Sequence, residues 1–205
     1  MKRDDFVELH YIAPIDNAVS ICREGMLCHR LAASRRHRSV AMEEIQQRRT
    51  RKTVPGGRPL HEYANLYFHA RNPMLFKRRD QHADLCVFRV RADVLDLPHV
   101  IISDQNAASD YARFYPAPDG LRYIDRDMVF AEYWTHPEDV ILEFRHKSVK
   151  CAEVLVPDRI EPSYIAGAYV SNPMSKGRLD NLLGAAGIRL EITVNERLFF
   201  LRGTQ

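Results

Sequence analysis

The run Leu85-Cys86-Val87-Phe88-Arg89-Val90 is the clearest strand-forming stretch of this chain, because β-branched and aromatic residues fill it between flanking turn residues. Asn65-Leu66-Tyr67-Phe68-His69 precedes it with the same character. Val100-Ile101-Ile102, Cys151-Ala152-Glu153-Val154-Leu155-Val156 and a segment over 164–170 follow it. These strands do not alternate regularly with helices, so the pattern predicts an α+β fold and not a doubly wound parallel sheet.

Helices are predicted mainly near the two ends of the chain. A short strand, Leu9-His10-Tyr11-Ile12, leads into a first helix that Asp16 or Asn17 can cap and Gly25 can close. The remaining predicted elements are a helix over 39–51, a short helix near 128–134, a helix over 178–186 and extended segments over 188–194 and 198–201.

The composition is that of one soluble globular domain. With 205 residues, 45% of them hydrophobic and 28% charged, the chain suffices for one packed core and is too short for two ordinary domains, so a single domain over 1–205 is expected. No apolar run approaches the roughly 18 residues of a membrane span, and the N-terminus does not read as a signal peptide. A cytoplasmic protein without membrane contact is therefore expected, with its four cysteines reduced and mostly buried.

Common catalytic and metal-binding motifs do not occur in the sequence. GxxxxGK[ST], GxGxxG and GxSxG are all missing, which argues against a P-loop ATPase, a Rossmann oxidoreductase and a serine hydrolase. The nine histidines form no HExxH motif and the cysteines no zinc spacing, so no metal is expected.

Positive charge is concentrated in one segment. Residues 23–52 hold nine Lys or Arg against three acidic residues, a local net charge of +6, whereas the whole chain has only +3. Such a segment suits a polyphosphate or a nucleic acid, because phosphate contacts supply most of the electrostatic affinity for these ligands. A solvated Arg-rich connection is the alternative.

Two titratable residues interrupt apolar strands and are candidates for chemistry. Glu153 lies in a run otherwise made of Cys, Ala, Val and Leu, so it is either a functional carboxylate at a cleft or the partner of one of the many arginines. His10 lies between Leu9 and Tyr11, where a histidine is either a catalytic or ligand-binding group or a satisfied core residue.

Four blocks follow one another in a distinctive order between residues 9 and 157. They are Leu9-His10-Tyr11-Ile12-Ala13-Pro14-Ile15-Asp16-Asn17, the basic stretch over 39–57, Tyr67-Phe68-His69-Ala70-Arg71-Asn72-Pro73-Met74-Leu75, and Ala152-Glu153-Val154-Leu155-Val156. Taken together, they resemble the DarT family, the NAD-dependent DNA ADP-ribosyltransferase toxins of the DarT/DarG toxin-antitoxin systems.

The resemblance implies a fold and a set of site residues. The fold is that of the ADP-ribosyltransferases, a split mixed β-sandwich with flanking helices around an NAD cleft. Glu153 corresponds to the catalytic glutamate and Arg49 to an arginine that activity requires, which also borders the cofactor. The other residues that the resemblance places around NAD are His10 at the ribose, Ile12, Asn17, Leu27, and Tyr67 or Phe68 near the nicotinamide.

The function implied by the resemblance is transfer of ADP-ribose from NAD to a nucleobase in single-stranded DNA by a toxin that a DarG-like macrodomain antitoxin opposes. Residues 103–109 favour guanine slightly over thymine, again by resemblance. An insertion over about 104–150, in which aromatic residues precede basic ones, is expected to recognise the DNA. An ADP-ribosyltransferase acting on RNA or protein, and a non-enzymatic nucleic-acid-binding or NAD-binding module, remain as alternatives.

Overall fold

The computed structural model describes residues 1–35, 37–38 and 43–201. Its strands are β1 (Glu8–Pro14), β2 (Met26–Leu27), β3 (Tyr63–Tyr67), β4 (Leu85–Arg91), β5 (Ile101–Ser103), β6 (Phe114–Pro116), β7 (Glu153–Pro157), β8 (Arg159–Ile160), β9 (Ile165–Val170) and β10 (Ile192–Val194). Its α-helices are α1 (Ala18–Glu24), α2 (His29–Ala32), α3 (Glu43–Thr50), α4 (Pro73–Phe76), α5 (Arg126–Phe130), α6 (Val140–Val149) and α7 (Pro173–Ala185). Short 3-10 turns connect several of these elements.

Eight of the strands form one sheet in the order β10-β9-β4-β1-β3-β7-β5-β6, and β2 pairs with β8 in a small second sheet. Neighbouring strands of the large sheet are antiparallel, except for the parallel pair β9 and β10. The sheet is therefore mixed, and the α+β class predicted from the sequence is confirmed.

The large sheet is split between β1 and β3. These two strands share one residue pair, His10 with Tyr67, whereas β1 and β4 pair along seven residues from Glu8 to Pro14. Beyond the shared pair the two strands separate, and each continues in its own half of the sheet. The split leaves an opening between the halves on which the site depends.

The strand register aligns polar residues in a row across this split. Arg89 lies opposite His10, His10 opposite Tyr67, Tyr67 opposite Glu153, and Glu153 opposite Ser103. Directly opposite residues project from the same face of a sheet, with Cβ atoms about 5 Å apart. His10 and Glu153, which are 143 positions apart in the sequence, are thus separated in the row by Tyr67 alone.

The opposite face of the sheet carries the main apolar core. Residues that alternate with the polar row, such as Leu9, Leu66, Phe88 and Val154, are fully buried there and pack with residues of α1 and α7. Two smaller apolar clusters lie on the face of the polar row, around Leu75 and Phe199 and around Leu60 and Leu155. The row is therefore held between well-packed layers.

Several predicted elements agree with the structure and two do not. The strands near residues 9–12, 85–90 and 164–170 and the helix that Gly25 closes are confirmed. The prediction that 198–201 is extended is wrong, because these residues lie in turns whose Leu198 amide donates to the Asn195 side chain. Helix α7 begins at Pro173, five residues before the predicted start, because the Asn172 side chain caps it through the Ser175 amide. The first residues of the predicted 39–51 helix lie outside the described residues.

The state of the cysteines agrees with a further expectation. All four cysteines are free, and Cys28, Cys86 and Cys151 are buried. Within the described part of the chain, no helix has both the length and the apolar character needed to cross a bilayer.

Candidate active site

A cavity of about 400 Å³ opens where β1 and β3 separate. Residues 11–14 of β1 form one wall, and Tyr63, Asn65 and Tyr67 of β3 form the other. Glu153 and Arg49 lie in the same lining. The cavity is thus a direct result of the single residue pair between the two strands.

Both carboxylate oxygens of Glu153 are held by hydrogen bonds. The residue begins β7 and its side chain is 1% exposed. Oε2 accepts from a guanidinium nitrogen of Arg49 at 3.0 Å, and Oε1 accepts from the backbone N–H of Ala107 at 3.0 Å. The carboxylate is therefore fixed in orientation at the wall of the cavity.

Arg49 reaches Glu153 from the last turn of α3. Its neighbour Arg48 turns outwards and pairs with Glu44 one helical turn earlier, while the side chain of Arg49 is only 8% exposed. A guanidinium cannot give up its proton in a protein, so Arg49 serves as a permanent charge and a rigid donor. The pair Arg49–Glu153 joins α3 to the sheet.

Tyr67 lies between His10 and Glu153 in the polar row and lines the cavity. Burial raises the pKa of its hydroxyl well above the usual value, and the nearby charge of Glu153 raises it further. The phenol therefore stays protonated at neutral pH and remains a hydrogen-bond donor. Phe68, the next residue, is instead fully buried in the core against Phe6.

His10 is held from the side away from Tyr67. Its Nε2 lies 3.4 Å from the carboxylate of Glu8, which also accepts from Arg89 at 2.7 Å and from the Tyr169 hydroxyl at 2.8 Å. Burial raises the pKa of Glu8, but these hydrogen bonds outweigh burial and hold it at about 2. His10 Nδ1 is buried and has no hydrogen-bond partner among the described residues, and His10 lies outside the cavity lining.

The other predicted NAD-binding residues lie around the cavity. Ile12, Asn17 and Leu27 all contribute to its lining. The carboxamide of Asn17 holds the backbone of Arg38 at both ends, since Nδ2 donates to the Arg38 carbonyl at 2.7 Å and Oδ1 accepts from its N–H at 3.1 Å. Asn17 therefore fixes the place of Arg38, which also lines the cavity.

The basic segment 23–52 is largely neutralised by carboxylates. Arg38 lies 4.0 Å from Asp16 and 3.9 Å from Asp84. The other members of the segment that have a carboxylate within 4 Å are Arg30, Arg35, Arg48, Arg49 and Lys52. Arg36 lies outside the described residues. The predicted positive field is thus much weaker than the sequence count indicates, and the segment acts mainly through specific pairs.

The described residues contain no group of three or more His, Cys, Asp or Glu side chains arranged to hold a metal ion.

A family model described as "ssDNA thymidine ADP-ribosyltransferase, DarT" matches residues 10–200. The chain belongs to the DarT family. The resemblance predicted from the four sequence blocks is confirmed.

Characterised relatives of this DarT-family chain include two transferases. A DNA ADP-ribosyl transferase–DNA ADP-ribosyl glycohydrolase fusion protein from Thermosipho africanus (strain H17ap60334) is 32% identical over 179 residues, which cover 82% of this chain and 43% of the relative. A DNA ADP-ribosyl transferase from Thermus sp. (strain 2.9) is 31% identical over 160 residues, which cover 72% of this chain and 73% of the relative. The chain thus spans about half the length of the fusion protein.

Solved structures share the fold. Thermosipho africanus DarTG in complex with ADP-ribose superposes with a TM-score of 0.84 at 30% identity, over 97% of this chain and 52% of that one. Thermus sp. 2.9 DarT in complex with ADP-ribosylated ssDNA gives a TM-score of 0.81 at 24% identity, over 94% of this chain and 95% of that one. The ADP-ribosyltransferase fold predicted from the resemblance is confirmed.

Sequence reasoning missed two contributors to the site of this DarT-family chain. One is the backbone N–H of Ala107, which no residue pattern identifies. The other is α6, whose residues Phe144, Lys147 and Ser148 line the cavity. Asp139 caps this helix through the Leu142 amide, and an Asp before Val-Ile-Leu is the sequence signal that could have revealed it.

Four aromatic residues of the 104–150 insertion, Tyr115, Tyr123, Tyr133 and Trp134, do not line the cavity. Tyr115 stacks on Tyr123 with ring centroids 4.2 Å apart, and β6 adds the edge strand of the sheet. Trp134 is buried against Phe76, while Tyr133 is 71% exposed. These residues lie outside the described lining of the main cavity.

Proposed function

We propose that this chain transfers ADP-ribose from NAD to a base of single-stranded DNA, with residues 1–205 acting as one catalytic domain. The observation that carries the proposal is the buried Arg49–Glu153 pair at the wall of a cavity that lies in the split of the sheet. Membership of the DarT family and the names of the two transferase relatives support it.

The reaction breaks the bond between the nicotinamide nitrogen and C1′ of the ribose. Nicotinamide leaves with the bonding electron pair, and positive charge develops on the ribose as an oxocarbenium-like transition state. The carboxylate of Glu153 stabilises that charge, and Arg49 and the Ala107 N–H keep it aimed at the cavity. A base nitrogen then forms the new bond to C1′ and passes its proton to Glu153.

The remaining predicted residues bind and orient NAD in this proposal. Tyr67 is a protonated donor and an aromatic surface beside Glu153, suited to the nicotinamide end. Ile12, Asn17 and Leu27 border the dinucleotide. His10 binds the ribose through Nδ1, which has no hydrogen-bond partner among the described residues, while Glu8 holds the other side of the ring.

The target base is proposed to lie against residues 103–109. Ser103 is opposite Glu153 in the sheet, Asn106 lines the cavity, and Ala107 donates to the carboxylate. The resemblance of this segment favours guanine, whereas the description of the matching family names thymidine. Single-stranded oligonucleotides that contain only one of the two bases distinguish these options.

A toxin role and an opposing partner complete the proposal. The fusion relative joins a transferase to a DNA ADP-ribosyl glycohydrolase in one chain. A DarG-like macrodomain antitoxin that removes the modification is therefore the partner that we propose for this chain. Expression of the wild-type protein should arrest bacterial growth, and expression of Glu153→Gln should not.

Labelled NAD incubated with single-stranded DNA, duplex DNA, RNA and protein tests the activity. Label should enter single-stranded DNA, and Glu153→Gln should lower the rate at least 10²-fold to 10³-fold, about the value of one lost electrostatic contact in a transition state. Glu161→Gln, at an exposed surface ion pair with Arg159, is the matched control and should keep full activity. Label in RNA or protein alone would support the alternative transferases, and no label in any pool would support a binding module.

A further inference from the structure

Helix α6 exposes an apolar side to solvent. Val140, Ile141 and Phe144 are 78%, 83% and 69% exposed, respectively, although the opposite side of the helix buries His146 and Val149. At 100° per residue the three exposed side chains lie within about 100° of one another around the helix axis. Isolated exposed apolar residues are common, but three on one side of one short helix indicate a contact surface.

The inner end of this apolar side lies in the catalytic cavity. Phe144, Lys147 and Ser148 all line the cavity that contains Glu153. Their spacings of three and four residues place them on one side of the helix, below Val140 and Ile141. Phe144 therefore belongs both to the exposed apolar side of α6 and to the lining of the cavity that contains Glu153.

Backbone hydrogen bonds fix the position of Phe144 relative to Glu153. The N–H of Asn106 donates to the Ser148 carbonyl at 2.9 Å, one helical turn after Phe144. The next residue, Ala107, donates to Glu153 itself. The helix that carries Phe144 is thus linked through residues 106 and 107 to the carboxylate, which suits a residue that positions a substrate.

We infer that Phe144 stacks on the nucleotide next to the target base, so that α6 guides the single strand into the cavity. The inference rests on the proposed function. An exposed aromatic face binds an unpaired base of any identity by stacking. Lys77 at the same cavity supplies positive charge for the phosphates beside it, while Lys147 is paired with Glu143. The narrow line of three side chains fits a single strand better than a protein partner, which needs about 800 Å² per side.

The test uses the complete chain and a single-stranded oligonucleotide that the wild type modifies. Phe144→Ala should raise the KM for the oligonucleotide about 10-fold to 100-fold, the range expected for one lost stack. The Kd for NAD, measured by calorimetry without DNA, should stay unchanged. Phe144→Tyr should keep the wild-type KM for the oligonucleotide, because its ring can still stack. Phe144→Leu should raise this KM nearly as much as Phe144→Ala does. Tyr133→Ala, which removes an equally exposed ring away from the cavity, is the control and should change neither constant.

Each result bears on the inference. An unchanged KM for the oligonucleotide in Phe144→Ala, with an active wild type, overturns the inference alone. A raised Kd for NAD in the same variant also overturns it, because the ring then belongs to the dinucleotide site. Equal losses in Phe144→Ala and Tyr133→Ala would indicate a general effect of surface aromatics and count against it as well. A wild type that modifies no oligonucleotide removes the proposed function and this inference together.

Discussion

Replacing Arg49 with Met should cost the protein both its activity and a large part of its stability. The side chain of Glu153 is 1% exposed and that of Arg49 is 8% exposed, so water cannot take the place of the lost guanidinium. Removing one member of a buried ion pair typically destabilises a protein by about 3–5 kcal/mol, because the other charge is left without compensation. Only the Ala107 N–H at 3.0 Å would still hold the carboxylate.

The double variant Arg49→Met with Glu153→Leu separates the two losses. With both charges gone, the remaining cost is the Ala107 N–H that loses its acceptor, about 1–3 kcal/mol. The double variant should therefore be more stable than Arg49→Met alone by about 2 kcal/mol, which is the difference between these two costs. Its transferase activity should stay lost.

Urea unfolding followed by circular dichroism measures the free energy of unfolding of the wild type, both single variants and the double variant. Transfer from labelled NAD measures activity in the same preparations. A cost below 1 kcal/mol for Arg49→Met, or a double variant no more stable than that single variant, would refute the argument that this pair is shielded from water.

Two further predictions concern residues that support the site. Asn17→Ala should raise the Kd for NAD up to about 30-fold in calorimetry, because Arg38 loses two hydrogen bonds worth about 1 kcal/mol each; an unchanged Kd would contradict this role. Glu8→Gln tests the low pKa of about 2 on the carboxylate that holds His10. An acid whose pKa is lower in the folded than in the unfolded protein stabilises the fold fully at a pH above 4.5, the ordinary pKa of Glu. This stabilisation is lost as the pH falls towards 2. The difference in unfolding free energy between wild type and Glu8→Gln should therefore drop from about 3 kcal/mol at pH 6 to about half that at pH 3. A difference that does not vary with pH would show that the hydrogen bonds to Glu8 do not set its pKa.

The sequence points to residues of the candidate site more readily than to their arrangement. Glu153 could be found because an acidic residue inside an apolar strand is unusual, and its burial and pairing follow the same logic. That His10, Tyr67 and Glu153 are successive neighbours across three strands could not be found, because the register of distant strands depends on the packing of the whole sheet. Local sequence patterns show which side of a strand a residue faces, but not which residue of a neighbouring strand lies opposite it.

Backbone groups and surface charges were the least predictable parts of the site. The N–H of Ala107 acts through its position in a loop, which side-chain identity does not specify. The basic segment was overestimated because a count of charges ignores carboxylates contributed by distant residues, such as Asp158 opposite Arg30 and Asp84 beside Arg38. Asn17 lines the cavity and also holds the Arg38 backbone through its carboxamide, a contact that the sequence does not specify.

In the proposed reaction, the single residue pair between β1 and β3 separates the support of His10 from the residues around the acceptor, whereas Tyr67 and Glu153 lie where donor and acceptor meet. The half of the sheet with β3, β7, β5 and β6 carries Glu153, the 103–109 segment and the attachment of α6, while β1 and β4 carry His10 and its support from Glu8. Changes in the first half can alter which nucleotide is accepted without disturbing the hydrogen bonds of the second. In the proposed reaction, the choice of acceptor base can therefore change while the hydrogen bonds that hold His10 beside the ribose are retained.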